Sequence, residues 1–301
     1  MKRYNYFLTL ILVTFLTIFS FFHMFTIVHV SQEVIDIVCH NLLPSLLPFT
    51  ILTSLCLNLG ILDIFSYIIQ KPFYWLFSLT PMMSSLYFVS FFCGYPTNVK
   101  LIKEAYELHY INIHELQHLL HIASFSSLSF IFVSLKTPNA IILFISHLLP
   151  SLILALFYKH DKQNITFSEA IQVMKKPHLS FVKAFKKSII SSIYAFIFIL
   201  GYMLIFQFIG SFLEEIWGCH FFIDVIKGTM EFSSGSLHLV SHHLSIVAFF
   251  LSFGSFSVMM QADNLLENIP YSFHQYFMVR LYHGLFSGII CFFLSYLYYI
   301  D

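Results

Sequence analysis

The segment Phe92-Cys93-Gly94-Tyr95-Pro96-Thr97-Asn98-Val99-Lys100 decides how this chain must fold. It ends an apolar run and places a glycine, a proline, an amide and a cation where a helix would otherwise continue. Glycine and proline release backbone N–H and C=O groups from the helical ladder. At membrane depth such groups are tolerated only where protein covers them or where they line a cavity. The segment therefore predicts a broken helix inside a larger assembly.

The composition of the whole chain departs far from that of soluble domains. Hydrophobic residues make up 58% and charged residues only 10%, with a mean hydropathy of +0.81. The aromatic share of 19% fits lipid-facing surfaces and interfacial belts. Fifteen basic and fifteen acidic residues leave no basic footprint for nucleic acid. We expect an all-α, polytopic integral membrane protein whose partner is the lipid bilayer and not nucleic acid.

Several windows reach the length of about 20 apolar residues that a membrane-spanning helix needs. The uninterrupted ones are 6–29, 139–158, 185–212 and 274–300. The interrupted ones are 42–69, 82–96 and 221–237. Together they predict about eight transmembrane or re-entrant segments. The first window exceeds a signal-peptide core and lacks a cleavage site, so residues 1–30 are predicted to form a retained N-terminal transmembrane helix.

A polar stretch divides the chain into two halves. Residues 159–187 hold seven lysines against two acids. The positive-inside rule predicts that this linker, 159–184, is cytoplasmic, as is Lys2-Arg3. An even number of crossings must then separate the two, so we expect at least one interrupted segment to be re-entrant. The flanking units are 31–158 and 185–301.

The two units resemble each other at an offset of about 160 residues. Gly94 falls on Gly254, and Glu107 falls on Glu267. Each unit reads as a broken helix, a glycine-containing break, a connector with an acid and a further helix. Duplicated interrupted segments are typical of inverted-repeat transporters, whose sites lie at the repeat interface near mid-membrane. Chance similarity between two Phe-rich stretches is the alternative.

The first candidate site surrounds the break at Gly94-Tyr95-Pro96. Asn98 offers a donor and an acceptor, and Lys100 offers a cation to an anionic solute. The alternative is a helix end at the interface with a solvated Lys100. Ser126 and Ser127, which we predict to lie on a helix with neighbouring serines, either line a path or allow close helix packing.

The second unit contributes a buried acid and a cation. Glu231 lies in an apolar run, where an acid is costly enough that function is the default hypothesis. Gly254 and Gln261 are the repeat partners of the Gly94 region. Arg280, with His283 on the last helix, balances either Glu231 or the charge of the solute. The alternative for Arg280 is snorkelling to a lipid headgroup.

Other classes of site find no support in the sequence. His114, His118 and His121 share one helical face beside Glu115, but neither H-E-x-x-H nor a cysteine partner accompanies them, which predicts an interfacial polar face and no metal site. The five cysteines are widely spaced and form no C-x-x-C. No nucleotide-binding or hydrolase motif occurs. We therefore expect neither an enzyme nor a bound cofactor.

The order and spacing of the motifs resemble the YlbJ-type sporulation integral membrane proteins, which belong with the nucleoside-recognition (gate) domain membrane proteins. The likeness covers roughly residues 35–298. It rests on Pro44-Ser45-Leu46-Leu47-Pro48-Phe49, Gly60, Phe92-Cys93-Gly94-Tyr95-Pro96 with Lys100, Gly228-Thr229-Met230-Glu231, Phe253-Gly254-Ser255-Phe256-Ser257-Val258 and Arg280-Leu281-Tyr282-His283-Gly284.

The resemblance implies a spore-forming bacterium and transport of dipicolinate, a small anion, across the outer forespore membrane. It adds Ser257 to the candidate site and supports Gly94, Lys100, Glu231 and Arg280. One departure is Ser124-Phe125-Ser126-Ser127-Leu128, where the family has an Asn-rich stretch ending in Gly-Pro. If that stretch binds solute, this chain carries a different solute or is a diverged relative.

Three functions remain open at this stage. The leading one is a sporulation-associated transporter of a small anionic solute, with Lys100 and Arg280 as counter-charges and Glu231 carrying a coupling proton or cation. A non-transporting membrane scaffold needed for sporulation is the second. A cation-coupled nucleoside transporter is the third.

Overall fold

A computed structural model describes residues 2–158, 165–174, 179–218 and 220–298. Within these ranges the chain has no strands and is 83% helical. The first half contains α1 (Lys2–Phe22), α2 (Met24–Ile37), α3 (Leu43–Asn58), α4 (Ile61–Phe77), α5 (Pro81–Cys93), α6 (Thr97–Glu107), α7 (Ile113–Ile122) and α8 (Ala140–Leu156). Single π-helical turns lie at Val38–Leu42 and Phe130–Ser134. The remainder contains α9 (Phe167–Met174), α10 (Phe181–Trp217), α11 (Phe221–Met230), α12 (Phe232–Leu239), α13 (Leu244–Phe253), α14 (Phe256–Leu265) and α15 (Phe273–Tyr298). The all-α prediction is confirmed.

Four helices of the described ranges are long and apolar enough to cross a membrane: Met24–Asn58, Phe181–Trp217, Leu244–Leu265 and Phe273–Tyr298. A fifth span results if α4 and α5, which meet at 92°, are taken as one bent crossing. Their outer faces expose large apolar side chains, such as Ile205 at 58% and Phe292 at 59%. Surfaces of this kind need lipid or another protein to cover them. The fold is that of a multi-pass helical membrane protein.

The start of the first span differs from the predicted window 6–29. α1 ends at Phe22, and the candidate span runs from Met24 through α2, a π-helical turn and α3 to Asn58. His23 lies between α1 and α2, and its imidazole contacts Glu215 of α10 at 2.8 Å. Pro44 does not end the longer helix because it lies in the first turn of α3, where its missing N–H is not needed.

Glycine residues with positive φ mark two of the breaks named from the sequence. α5 ends at Gly94 with φ of 64°, and α13 ends at Gly254 with φ of 83°. Glycine adopts this region without the steric cost that a Cβ brings. The predicted helix breaks at these two positions are confirmed.

The linker is attached to the first half where it is described. Gln70 of α4 donates to the Ile165 carbonyl at 2.8 Å and accepts from the Ile165 N–H at 2.9 Å. Glu169 accepts hydrogen bonds from the backbone and hydroxyl of Thr166, which lower the pKa of its carboxyl. The predicted cytoplasmic lysines Lys159, Lys162, Lys175 and Lys176 lie outside the described residues.

Candidate functional site

Three stretches of non-helical backbone meet at one place in the fold. The first is Gly94-Tyr95-Pro96, and the second is 123–127, between α7 and the π-helical turn that follows it. The Tyr95 N–H donates to the Phe125 carbonyl at 3.0 Å. The Asn98 amide donates to the Ala123 carbonyl at 2.5 Å. The first stretch and the start of α6 thus donate hydrogen bonds to carbonyls of the second stretch. Backbone groups that are buried away from water need such partners.

The third stretch is the break at Gly254, which packs on the ring of Tyr95. A Cβ added at Gly254 would lie 3.5 Å from that ring. The Tyr95 hydroxyl lies 3.1 Å from the Phe250 carbonyl and 2.9 Å from the Leu251 carbonyl, to which it donates. The breaks predicted in the two units are therefore in direct contact.

The prediction that Ser126 and Ser127 lie on a helix is wrong. The backbone from Ala123 to Ser127 is not helical, because its carbonyls bond to Tyr95 and Asn98 instead of to the next turn. A Cβ at Gly94 would come within 2.7 Å of the Ser127 nitrogen, so the close approach requires glycine.

A small buried cavity lies beside these breaks. It is lined by Leu42, Leu46, Tyr95, Pro96, Ser126, Ser127, Phe130, Ile199, Met203, Glu231, Phe232, Ser233, Val258 and Gln261. Its volume is about 20 Å³, enough for roughly one water molecule. The conformation described here is therefore closed around the cavity and holds no space for an organic solute.

Glu231 supplies the carboxylate of the cavity wall. It lies at a fourth break, between α11 and α12, and is 1% exposed. One of its carboxylate oxygens accepts the Ser234 N–H at 2.8 Å and so caps α12. Capping by an acid at a helix N-terminus is stabilising in itself. The acid is thus both a structural cap and a charge facing the cavity.

Gln261 lies on the opposite wall, one turn into α14. Its amide nitrogen donates to the Ser257 hydroxyl at 2.9 Å, while its amide oxygen has no hydrogen-bond partner among the described residues. A buried acceptor without a partner costs free energy unless a ligand or water fills the site. Gln261 is therefore a group that a bound molecule could satisfy.

Arg280 is buried to 1% exposure in the middle of α15. One guanidinium nitrogen donates to Nδ1 of His283 at 3.0 Å, and the other terminal nitrogen has no partner among the described residues. Since arginine only donates, His283 must accept at Nδ1 and carry its proton on Nε2, which donates to the His147 carbonyl at 3.0 Å. Full burial excludes snorkelling to a headgroup.

Arg280 and Glu231 do not form an ion pair. The guanidinium carbon lies 5.9 Å from the centroid of the Tyr95 ring, and the ring of Phe232, next to Glu231, lies 5.1 Å from the same centroid. Tyr95 therefore contacts both Arg280 and Phe232, the neighbour of Glu231 in the chain. The hypothesis that Arg280 balances the charge of Glu231 is therefore wrong for this conformation. Arg280 has no carboxylate partner among the described residues.

Lys100 is buried away from the cavity. It pairs with Glu104 at 3.1 Å, and Glu104 also accepts from the Ser54 hydroxyl at 2.9 Å. The pair packs α6 against α3. The structure therefore places Lys100 neither in solvent nor on the cavity wall, and its charge is paired with Glu104, four positions further along α6.

The sequence predicts an interfacial polar face on α7, and in the structure His114 of that face is exposed, whereas Glu115 and His118 are buried. Glu115 is 6% exposed, completes a capping box with Asn112 and accepts the Thr80 hydroxyl at 2.6 Å. His118 is 1% exposed and its ring stacks on Tyr158. Among the described residues no group of three metal-binding side chains is brought together.

The sequence reasoning missed His147. Its ring stacks on that of His283 with centroids 5.5 Å apart, and its Nδ1 shares a hydrogen bond of 2.6 Å with the Ser252 hydroxyl. The signal was present, because an ionisable residue in the apolar run of α8 is costly and points to function.

The fold and site together define a multi-pass helical membrane protein with several interrupted helices around a small, mainly apolar cavity that contains one carboxyl group. No family model, curated protein or solved structure matches the chain.

Proposed function

We propose that this protein is a secondary transporter for a small anionic solute. The observation that carries the proposal is the convergence of four helix breaks, at Gly94, 123–127, Glu231 and Gly254, on or beside one small cavity whose wall includes the carboxyl group of Glu231. Broken helices at the centre of a membrane protein are typical of transporters, whose ligands bind where backbone groups are released. A cavity with room for about one water fits an occluded state between two open ones.

The helix order supports a duplicated architecture. Element starts in the two halves correspond at an offset of about 160 residues. The pairs are α2–α3 with α10, α4 with α11–α12, α5 with α13, α6 with α14 and α7 with α15. In both halves a positive-φ glycine separates the third pair from the fourth. Two related units whose breaks touch at Tyr95 would place the site on their shared axis.

Arg280 provides the argument for an anion. It is a fully buried cation with an unpartnered guanidinium nitrogen among the described residues, next to the backbone break at Tyr95. A carboxylate solute would supply the missing acceptor when the cavity opens. Glu231 would carry the coupling proton, which removes its repulsion of the solute. Lys100 has no part in this scheme, because Glu104 already holds it.

Dipicolinate in sporulation is the particular solute and setting that we propose, on the motif resemblance alone. Dipicolinate carries two carboxylates, which suits a site with a guanidinium nitrogen that has no partner among the described residues. The proposed location is the outer forespore membrane of a spore-forming bacterium.

A nucleoside is the second candidate, and one observation favours it. The described cavity wall carries a carboxylate, an amide and three serine hydroxyls but no lysine or arginine. Such a wall suits a neutral polar solute that enters with a cation at Glu231. A scaffold without transport is the third reading.

The deciding experiment is uptake by proteoliposomes of labelled dipicolinate and labelled uridine under an inward proton gradient. We expect dipicolinate uptake that falls at least tenfold in Arg280→Gln and less in Arg280→Lys. Glu107 is an exposed acid at the end of α6, so Glu107→Gln makes the same chemical change as Glu231→Gln at an exposed position and is its matched control. Uridine uptake alone would favour the nucleoside. No uptake of either solute, together with full sporulation by cells carrying Arg280→Gln and Glu231→Gln, would leave the scaffold.

A further inference from the structure

A second, open pocket lies between α2, α10, α11 and α12, with a volume of about 550 Å³. We call it the vestibule. Its walls carry the carboxylates of Glu33, Asp36, Glu214 and Asp224. Lys227 is the one lysine or arginine among the described residues that line it, and it pairs with Glu214 at 2.6 Å. His40 and His238 are the other titratable groups, and each faces one of the acids. Among the described lining residues the carboxylates therefore outnumber the lysines and arginines by four to one.

A hydrogen-bonded chain of two residues connects the vestibule to an acid of the central cavity. Gln207 and Ser234 line the vestibule, and the Gln207 amide nitrogen donates to the Ser234 hydroxyl at 2.8 Å. The backbone N–H of the same Ser234 donates to the Glu231 carboxylate, which lines the cavity. A single residue thus separates the open acidic space from the buried acid.

Gln207 gives an independent sign of a ligand. It is 3% exposed, and its amide oxygen has no hydrogen-bond partner among the described residues although the side chain lines the vestibule. An amide oxygen in a pocket that is also lined by carboxylates is a cation ligand or a water acceptor, and not an anion site.

The vestibule lies far from the lysine-rich end of α10. Lys183 and Glu214 are 31 residues apart on this helix, hence about 46 Å apart, which exceeds the roughly 30 Å core of a bilayer. The two ends therefore face opposite sides of the membrane. By the positive-inside rule the vestibule opens away from the cytoplasm.

We propose that the vestibule is the entrance for a small cation that reaches Glu231 through the neck formed by Gln207 and Ser234. The four carboxylates concentrate the cation, the Gln207 oxygen receives it, and Glu231 binds it next to the cavity. The same carboxylates repel an anion, so an anionic solute reaches the cavity from another side. The use of this path in coupling rests on the proposed transport function, whereas the path itself does not.

The charge selectivity of the vestibule is tested with a cysteine reporter. Ser234→Cys, in a protein whose five native cysteines are replaced, is treated in sealed vesicles with a cationic and with an anionic methanethiosulfonate reagent. For each thiol we compare the reaction rate of the cationic reagent with that of the anionic reagent. We expect this ratio of rates to be at least tenfold higher at Ser234→Cys than at a free thiol in solution. Asp36→Asn with Asp224→Asn should remove most of this preference, and added salt should weaken it.

The matched control for the reporter is Ser241→Cys. Ser241 lines another open pocket, where no carboxylate occurs among the described lining residues. We expect no preference for the cationic reagent there. Equal preference at Ser234→Cys and Ser241→Cys would overturn the vestibule as a cation entrance.

The connection to Glu231 is tested with dicyclohexylcarbodiimide, which modifies protonated carboxyls in apolar surroundings, and with mass spectrometry of the labelled site. The rate at which dicyclohexylcarbodiimide labels Glu231 is measured in the first seconds after the external sodium concentration or the external pH is raised. Slower labelling on adding sodium at constant pH identifies a metal cation, and slower labelling only on raising pH identifies the proton. In Gln207→Leu we expect the change in the labelling rate of Glu231 to be at least fivefold smaller than in the unmodified protein.

Two results would contradict the neck: labelling that responds to neither change, or an undiminished response in Gln207→Leu. The reactions of the methanethiosulfonate reagents and of dicyclohexylcarbodiimide can be measured whether or not the protein transports a solute. Charge selectivity without uptake of either solute removes only the transport proposal, and uptake without charge selectivity removes only the vestibule.

Discussion

The Tyr95 hydroxyl donates to the Leu251 carbonyl at 2.9 Å and so holds the break of the first half against the last turn of the helix that ends at Gly254. Leu251 is among the last four residues of α13, whose carbonyls have no partner within the helix. One side chain thus completes the end of a helix in the other half. Because the cavity is lined by both halves, this contact couples the positions of its walls.

Tyr95→Phe tests this contact by removing the hydroxyl and keeping the ring. We expect a loss of about 1 kcal/mol in stability, since Ser126 still donates to the Leu251 carbonyl, together with a several-fold fall in solute uptake. Thermal unfolding in detergent and proteoliposome uptake measure the two effects. Tyr87→Phe, which breaks a hydrogen bond to Ser151 within the first half, is the control and should lower stability only. Equal uptake defects in both variants would show that the contact between the halves has no special role.

Gly94→Ala should be severely destabilising. The added Cβ would meet the Ser127 backbone at 2.7 Å, and φ of 64° is strained for alanine. We expect a cost of at least about 3 kcal/mol, seen as lost expression or a collapsed thermal transition. Gly201→Ala is the matched control, because nothing lies within 4 Å of its Cβ and alanine favours the helix by about 1 kcal/mol. A stable Gly94→Ala protein would contradict the close approach.

Asn98→Asp should disrupt the unwound segment. The change replaces the amide donor to the Ala123 carbonyl with a carboxylate that repels it, while the oxygen that accepts from Val99 is retained. A buried charge facing carbonyls should cost at least about 3 kcal/mol. Asn264→Asp, at an exposed position on α14, should change stability by less than about 0.5 kcal/mol. Denaturation of both variants in the same detergent gives the comparison.

The Lys100–Glu104 pair separates a structural role from solute binding. Lys100→Met alone leaves Glu104 buried without its cation and should cost about 3–5 kcal/mol. Adding Glu104→Gln should restore both stability and uptake if Lys100 has only a structural role. Restored stability without uptake would mean that Lys100 binds the solute after all. Lys103→Met, in the exposed pair with Glu107, should change stability by less than about 1 kcal/mol.

Part of the candidate site could be read from the sequence because its signals are local. Gly94 and Gly254 stand out as breaks in apolar runs, and Glu231 stands out as an acid in one. The structure places Gly94, Gly254 and Glu231 around one cavity or on its border. The position of Lys100 could not be read in this way, because the sequence does not say that Glu104 and Ser54 enclose it.

By itself the sequence determined the all-helical membrane class and the helix breaks at Gly94 and Gly254, since hydropathy and the φ freedom of glycine are properties of a segment. Only the tertiary structure decided that Ser124 to Ser127 unwind, that Arg280 lies against the ring of Tyr95, and that an acidic vestibule is lined by Gln207. These features depend on which distant groups take up the freed backbone and side-chain hydrogen bonds. A partner more than 100 residues away, as Leu251 is for Tyr95, leaves no mark on the local pattern of the chain.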